Sequence, residues 1–526
     1  AARTMSDVNP VKAFVDSGDP ALSHLRVLFL PKNSRTAYFQ QLLAIAKREL
    51  NWHVSVVGPQ FERRVWKDSL AADDAMCALP DFAQAQPFES DPAQVAQIDA
   101  LIGECERACG VSTGRILLAG ERDIGRGFSR RNYYWFNNTL ARRALRDNAF
   151  PSQVIRRFFA FARDTLARVK PDLVIAGEWA DPLCFVFYML AQKEGIRCAV
   201  NRPSKLWSGR CYWSTDLTWF NLSARALADQ KRAADAPISE RAQQRIAEFR
   251  SKPQTLGYVR KNWDSDERKT WTSTHLELAR LFGAQVRRRF DNKGGPEAKP
   301  AFQLLVEHYR RPVLKWRQLG FFRRFEPDEL KRMRYVYIAM HKDPEQALNG
   351  QAPFWSNQYN TAALLSGALP AGYTLLVREH RRNTGRRPTS YYRNLARLPN
   401  VVLIDAFDDQ FKYIANADLV VTEDGSTGWE AMLLQRRVIT LADNYYQGAK
   451  LGCRLRDPER LAQTMMNLLA EEPVSNPAAY DRSLGWMLDA EWETTLPLEP
   501  LNATHLDLLA DVVSDGPALS RKTAVA

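Results

Sequence analysis

The feature that most constrains this chain is a rhythm in which short apolar strands alternate with amphipathic helices, and it occurs twice. In the first half "HLRVLFL", from His24, reads as a buried strand, and "SRTAYFQQLLAIAKREL", from Ser34, opens on a good N-cap and continues at helical period. "HVSVVG" from His53, "GRILLAG" from Gly114, "DLVIAG" from Asp172 and "RCAVN" from Arg197 read as further strands. Helical "PSQVIRRFFAFARDTLARVK" lies between the third and fourth of these five. The rhythm stops near Phe220 and gives way to long helical patterns rich in Ala, Arg, Lys and Gln, up to about Arg334. It then returns in "YVYIAM", "YTLLVREH", "VVLID", "DLVVT" and "VITL", with helices predicted at Ser356–Leu369, Thr389–Arg397, Asp409–Ala415 and Thr427–Gln435. Strands alternating with helices require mainly parallel sheets covered on both faces.

These shifts divide the 526 residues, which exceed one ordinary core. Residues 1–20 read as a disordered or tag-derived N-terminus and 21–225 as a Rossmann-like α/β domain. A helical insertion or linker follows over 226–330, then a second Rossmann-like domain over 331–475. The tail, 476–526, is expected to pack back on the first domain. The expected fold class is α/β, two Rossmann-like domains facing a cleft with a helical insertion between them.

The composition, 45% hydrophobic and 25% charged, is that of a soluble globular protein. The most apolar segment, "PLCFVFYMLAQ" from Pro182, falls short of the roughly 18 residues of a membrane span. No secretory leader is read at the start. Seven scattered cysteines without a CxxC pair read as reduced thiols, which points to a cytoplasmic protein. Lys plus Arg exceed Asp plus Glu by 73 to 60, and this excess suggests an anionic partner: nucleic acid, phospholipid head groups or a nucleotide-activated substrate. The cations are spread out and form no recognisable nucleic-acid motif, so no nucleic-acid partner is expected.

Three polar clusters follow strands of the second half. In "VVTEDGSTGWEAML" a strand ends and a helix begins after Glu-Asp-Gly-Ser-Thr-Gly. Gly425 and Gly428 permit close approach or positive φ, and Ser426 and Thr427 either cap the helix or offer hydroxyls to phosphate. The helix start offers unpaired N–H groups and a partial positive charge, and Glu430 lies one turn inside. An ordinary capped connection fits this stretch as well. In "REHRRNTGRR", Arg378, Glu379 and His380 sit where another strand finishes, suited to a phosphate or to a solvated basic loop. In "AMHKDPEQALNG", His341, Lys342 and Glu345 cluster after a third strand.

At these residues the chain resembles the bacterial capsule polysaccharide biosynthesis family, which includes the β-Kdo transferases of surface-glycan assembly. The resemblance spans Tyr335 to about Leu469. It rests on His341, Pro344 and Glu345, on Phe354 and Gln358, on Leu369, Pro370, Gly372, Glu379 and His380, then on "LPNVVLID" and "TEDGSTGWEAML" with "RRVI" beyond. The family usually has Lys-Glu-His-Pro where this chain has Arg378-Glu379-His380-Arg381. The resemblance implies a GT-B-like glycosyltransferase whose C-terminal half binds a nucleotide sugar, CMP-Kdo first and a UDP-sugar second. It implies no cofactor and no metal for the donor; "DSDE" at Asp264 and Asp266 falls in the helical insertion.

On that basis the donor is expected at His341, Lys342, Glu345, Arg378, Glu379, His380, Gly425, Ser426, Thr427 and Glu430. Catalytic carboxylates are sought after strands of the first half, where Asp123, Glu178 and Asp181 lie, with His380 assisting the leaving group. Glycosyl transfer needs a base or a carboxylate nucleophile, and Asp or Glu suits both. Arg122, Arg202, Lys205 and Arg210 are candidates for an anionic acceptor or a donor carboxylate. The expected acceptor is a glycan or glycolipid, with contact to the cytoplasmic face of the inner membrane and to other polysaccharide-assembly proteins. The rival readings are a UDP-sugar-using transferase, a UDP-sugar 2-epimerase and a non-catalytic glycan-assembly protein.

Overall fold

The computed structural model describes residues 23–31, 36–58, 75–80, 82, 84–119, 149–177, 182–216, 220–254, 310–311, 313–342, 345–471 and 474–498, with isolated positions at 279, 283, 505, 506 and 509. Two compact units emerge: one built on the described parts of Ala1–Ile116, Ser152–Asn221 and Trp492–Ala526, the other on those of Leu117–Pro151 and Leu222–Glu491. Each is an α/β unit with a seven-stranded, mainly parallel sheet.

Numbered along the chain, the first sheet contains β1 (Arg26–Leu30), β2 (His53–Gly58), β3 (Ala75–Ala78), β4 (Leu173–Ala176), β5 (Arg197–Pro203), β6 (Arg210–Ser214) and β14 (Leu496–Pro497). Their order is β14-β6-β5-β4-β1-β2-β3, with β6 and β14 antiparallel to their neighbours. All four residues of β4 and the last four of β1 are buried, as expected of strands covered on both faces. The helices Thr36–Leu50 and Phe150–Val169 carry the period seen in the sequence. Leu42, Leu43 and Trp52 pack with Val27, Phe29, Val54 and, from the C-terminal segment, Leu506 and Leu509.

The segment "GRILLAG", expected as a strand, is helical over Thr113–Ala119. Glu106 Oε1 accepts a hydrogen bond from the Thr113 amide at 2.6 Å, which helps to start a helix where the preceding one, Pro92–Cys109, has just ended. A seven-residue apolar run suits either state, and here local capping decides it.

The second sheet contains β7 (Phe322–Arg323), β8 (Tyr335–Ala339), β9 (Thr374–Arg378), β10 (Val401–Ile404), β11 (Leu419–Thr422), β12 (Val438–Thr440) and β13 (Cys453–Arg454), all parallel to their neighbours. The order is β13-β12-β11-β8-β9-β10-β7. From β8 onward the chain therefore runs outward through β9 and β10, then returns to the other side of β8 as β11, β12 and β13. This is the doubly wound order, and the reversal falls between β8 and β11.

Part of the region read as a helical insertion belongs to the second unit: the helices Leu222–Ala233 and Glu240–Ser251, and β7 at the sheet edge. The tail is shared. Helix Pro477–Glu493 lies almost wholly in the second unit, where Asp489 accepts from the Ser239 amide at 2.8 Å. Beyond Trp492 the chain joins the first unit through β14. Among the described residues no helix is long and apolar enough to cross a membrane, and all seven cysteines are free.

Candidate functional site

In a doubly wound sheet, loops leaving the two strands at the reversal diverge and open a crevice at their carboxyl ends. In the second unit those loops begin at Met340 and Glu423. They bring His341 and Glu345 together with Glu423, Asp424 and Gly425. The His341 ring lies with Nδ1 3.3 Å from Glu345 Oε2, and with Nε2 3.3 Å from Asp424 Oδ1 and 3.5 Å from Glu423 Oε2. Burial alone would favour the neutral ring, but Asp424, the Glu345 hydrogen bond and Glu423 together raise its pKa to about 10. His341 is thus an imidazolium at neutral pH. Burial pushes the Glu423 carboxyl up to about 7 against the pull of His341. Both Glu423 oxygens and Asp424 Oδ1 are buried without a hydrogen-bond partner, so the imidazolium is what balances them.

The helix Ser426–Leu433 starts directly beside this ring. Its N-cap is Gly425, which offers no side-chain cap, whereas helices elsewhere are capped by Asp91, Ser239 and Asp409. The Gly425 amide donates to Thr422 Oγ1 at 3.1 Å, while those of Ser426 and Thr427 have no acceptor among the described residues. Neither Gly425 nor Gly428 has positive φ; close approach is what each provides. A Cβ on Gly425 would lie 3.2 Å from His341 Nε2, and one on Gly428 would lie 2.8 Å from Tyr446 Cζ, with the hydroxyl nearer still. That hydroxyl donates to the Gly425 carbonyl at 3.0 Å and holds the turn closed. At the far end Arg250 Nε donates to the Leu433 carbonyl at 2.7 Å, and Asp481 grips the same guanidinium. A cation there complements the helix dipole.

The Arg-Glu-His loop after β9 divides into two supports and one available group. Arg378 is 4% exposed, and its Nη2 donates to the carbonyls of Ala406 (2.6 Å) and Asp408 (3.2 Å) while Nη1 donates to Gln410. Glu379, 2% exposed, accepts from the His380 amide at 2.6 Å, Asn383 at 3.1 Å and the Tyr392 hydroxyl at 2.8 Å, and Arg387 Nε lies 2.9 Å away. Asn383 also donates to the His341 carbonyl at 3.0 Å, which ties the β9 loop to the β8 loop. These two charged residues, expected from the sequence in the donor site, shape the loop from below. His380 is half-buried, and its Nδ1 accepts from the Arg382 amide at 3.1 Å, so the neutral ring carries its proton on Nε2. Burial and the positive charges of His341, Arg378 and Lys342 outweigh Glu345 and push its pKa down to about 3. His380 therefore offers an uncharged N–H donor.

Glu430 is fully buried: Ser426 Oγ donates to it at 3.3 Å and Gln410 Nε2 at 3.0 Å, and burial pushes its carboxyl up to about 7. Gln410 links it to Arg378, so Glu430 braces the helix start rather than facing solvent. Lys342 is half-buried beside these loops. The sequence pattern missed Glu423 and Asp424 as the partners of His341. Their signal was two adjacent carboxylates in an otherwise small and neutral turn.

In the first unit Arg202 lies within β5 opposite Tyr212, and Lys205 and Arg210 belong to the β5–β6 hairpin. Arg210 is committed elsewhere: Nε donates to Thr495 Oγ1 at 2.8 Å and Nη2 to the Trp492 carbonyl at 2.9 Å, and the guanidinium covers the Trp492 ring. It secures the C-terminal segment, not an anion. Arg122, Asp123, Glu178 and Asp181 lie outside the described residues, as do Asp264 and Asp266. Among the described residues no three His, Cys, Asp or Glu side chains are arranged to hold a metal ion.

No family model matches the chain, and no curated protein does. Among solved structures it is similar to the UDP-GlcNAc 2-epimerase from Neisseria meningitidis bound to UDP-GlcNAc, at 11% identity over 89% of this chain and 97% of that one, with a TM-score of 0.22. It is similar to the spinosyn rhamnosyltransferase SpnG complexed with thymidine diphosphate, at 14% identity over 90% and 98%, with a TM-score of 0.26. The Thermosulfurimonas dismutans β-Kdo 2,7 transferase KpsC is similar at 10% identity over 62% and 79%, with a TM-score of 0.28. Scores of this size carry no argument, and the fold assignment stands on the strand order of the chain itself.

Proposed function

We propose that this chain is a glycosyltransferase of GT-B type, taking a sugar from a nucleotide donor to a glycan or glycolipid acceptor of a bacterial surface polysaccharide. CMP-Kdo is the first-choice donor and a UDP-sugar the second. The observation that carries the reading is the uncapped helix start at Gly425, set at the sheet reversal beside the His341 imidazolium. Helix N-termini in such positions accept phosphate through their free amides. In this reading the donor phosphate accepts hydrogen bonds from the Ser426 and Thr427 amides and from His380 Nε2. As the bond from the anomeric carbon to the phosphate oxygen breaks, its electron pair stays on that oxygen, and these donors stabilise the growing charge. Asp424, Glu423 and Glu345 keep His341 protonated, occupy both of its ring nitrogens and outweigh its charge, so the phosphate is left to the amides and to His380. Arg378, Glu379 and Glu430 hold the loops in place without touching the donor.

The acceptor hydroxyl attacks the anomeric carbon and gives its proton to a carboxylate, for which Glu178, Asp123 and Asp181 are the candidates. In a retaining course one of them instead forms the intermediate bond before the acceptor arrives. Arg122, Arg202 and Lys205 are assigned to the acceptor or to a donor carboxylate. The test is a melting-temperature panel with CMP, UDP, GDP and their sugars, followed by product analysis with acceptor glycolipid. A ligand that binds only the folded state raises its melting temperature. One nucleotide class should do so, and its sugar should be transferred; no shift with any of them would overturn the donor assignment. Conversion of a UDP-sugar without acceptor would mark an epimerase instead.

A further inference from the structure

Residues 313–318 are helical and run into a turn at Leu319–Phe321 just before β7. This segment breaks the ordinary rule for a globular surface. Val313, Trp316 and Leu319 follow one another at three-residue spacing and are 48%, 73% and 54% exposed. Three-residue spacing puts them on one side of a helical segment, so they form a continuous apolar stripe. Isolated exposed apolar residues need no explanation, but a contiguous stripe with a tryptophan at its centre does.

The charge around the stripe identifies its partner. From Arg310 to Phe325 the sequence "RRPVLKWRQLGFFRRF" contains six cations, Arg310, Arg311, Lys315, Arg317, Arg323 and Arg324, and no acidic residue. Arg310, Lys315, Arg317 and Arg323 are exposed, as is Arg324, whose guanidinium is paired with Asp405 at 2.7 Å. The segment is firmly seated: Gln318 is buried, and its Nε2 donates to the Arg387 carbonyl at 2.7 Å, while Lys315 Nζ lies 4.0 Å from the centre of the Phe407 ring. The stripe is therefore presented by a fixed base that includes the loop after β9. A helical surface with Trp on its apolar side and Arg and Lys around it suits the interface of an anionic bilayer.

We propose that 313–323 is a docking surface for anionic lipid, with Trp316 entering the headgroup boundary and Lys315, Arg317 and Arg323 meeting lipid phosphates. The surface is independent of what the β8–β11 site binds. It would hold the loop that carries His380 close to a membrane-anchored acceptor.

The test is co-sedimentation of the full chain with vesicles of phosphatidylglycerol and phosphatidylethanolamine, compared with phosphatidylcholine alone, at two salt concentrations. Binding to the anionic vesicles, weakened by salt, is expected. A lysine or arginine near such a surface contributes about a fivefold change in partition, so Arg317→Ala with Arg323→Ala should lower it about 25-fold. Trp316→Glu should reduce it by at least tenfold and Trp316→Phe should retain most of it. Leu364→Glu with Met466→Glu, at two exposed apolar positions outside the stripe, should leave it unchanged and guards against a general effect of surface charge. Melting temperatures of all variants show that each is folded. Equal binding to phosphatidylcholine, or equal partition of the Trp316→Glu and double-arginine variants with the parent, would overturn the proposal. Failure to sediment with either vesicle would do the same, and would point to a protein partner for this face.

Discussion

A buried imidazole ordinarily sheds its proton, yet Asp424, Glu345 and Glu423 keep His341 charged. His341→Gln would leave these carboxylates facing one another, and removing one member of a buried charged group costs about 3–5 kcal/mol. Urea denaturation at pH 7 should show a loss of that size. The folded pKa of about 10 lies above the ordinary 6.5, so the stabilisation is complete below pH 6.5 and is lost as pH rises through 10. The stability gap between parent and His341→Gln should therefore shrink from pH 7 to 10, and a constant gap would contradict a charged ring. Glu379 makes a second residue-scale prediction. Arg387→Met strips the buried carboxylate of its cation and should cost about 3–5 kcal/mol, whereas Glu379→Gln combined with Arg387→Met should cost less than the sum of the two. What the sequence could show at this scale was type and position. A charged residue at a strand end looks the same whether its head faces a ligand or a carbonyl, so the position of Arg378, Glu379 and Glu430 was legible while their burial was not.

The turn into Ser426–Leu433 makes a prediction at the scale of an element. Gly428→Ala would push a methyl group against Tyr446 and loosen its hydrogen bond to the Gly425 carbonyl. Such overpacking typically costs about 1–3 kcal/mol. Tyr446→Phe removes the closest atom of the clash, so the double variant should be more stable than the two single losses predict; strict additivity in a denaturant series would show that the glycine is not needed for packing. The elements themselves were largely readable, because strands buried on both faces appear as unbroken apolar runs such as Val336–Ile338 and Leu419–Val421. "GRILLAG" failed because a run that short is decided by capping from Glu106. β6 was hidden because its arginine and polar flanks resemble a loop, and its burial depends on packing from residues nearly three hundred positions away.

At the scale of the molecule, the chain returns to its first unit after leaving the second. Arg210 and β6 hold the segment around Thr495, and Trp213 Nε1 donates to the His505 carbonyl at 3.1 Å. Leu506 and Leu509 complete the core on β1 and β2. Truncation after Glu491 should lower the melting temperature of the first unit and leave the nucleotide binding proposed for the second within twofold; an unchanged melting profile would contradict the role given to this segment. The doubly wound order of the second sheet was implicit in the strand spacing, but which strands flank the reversal was fixed only by the pairing of β8 with both β9 and β11. That reversal brings His341 to Gly425. The most direct measurement is a crystal structure with CMP bound. It should show phosphate oxygens about 3 Å from the Ser426 and Thr427 amides and from His380 Nε2. CMP bound elsewhere, with the helix start at Gly425 covered by protein side chains, would contradict it.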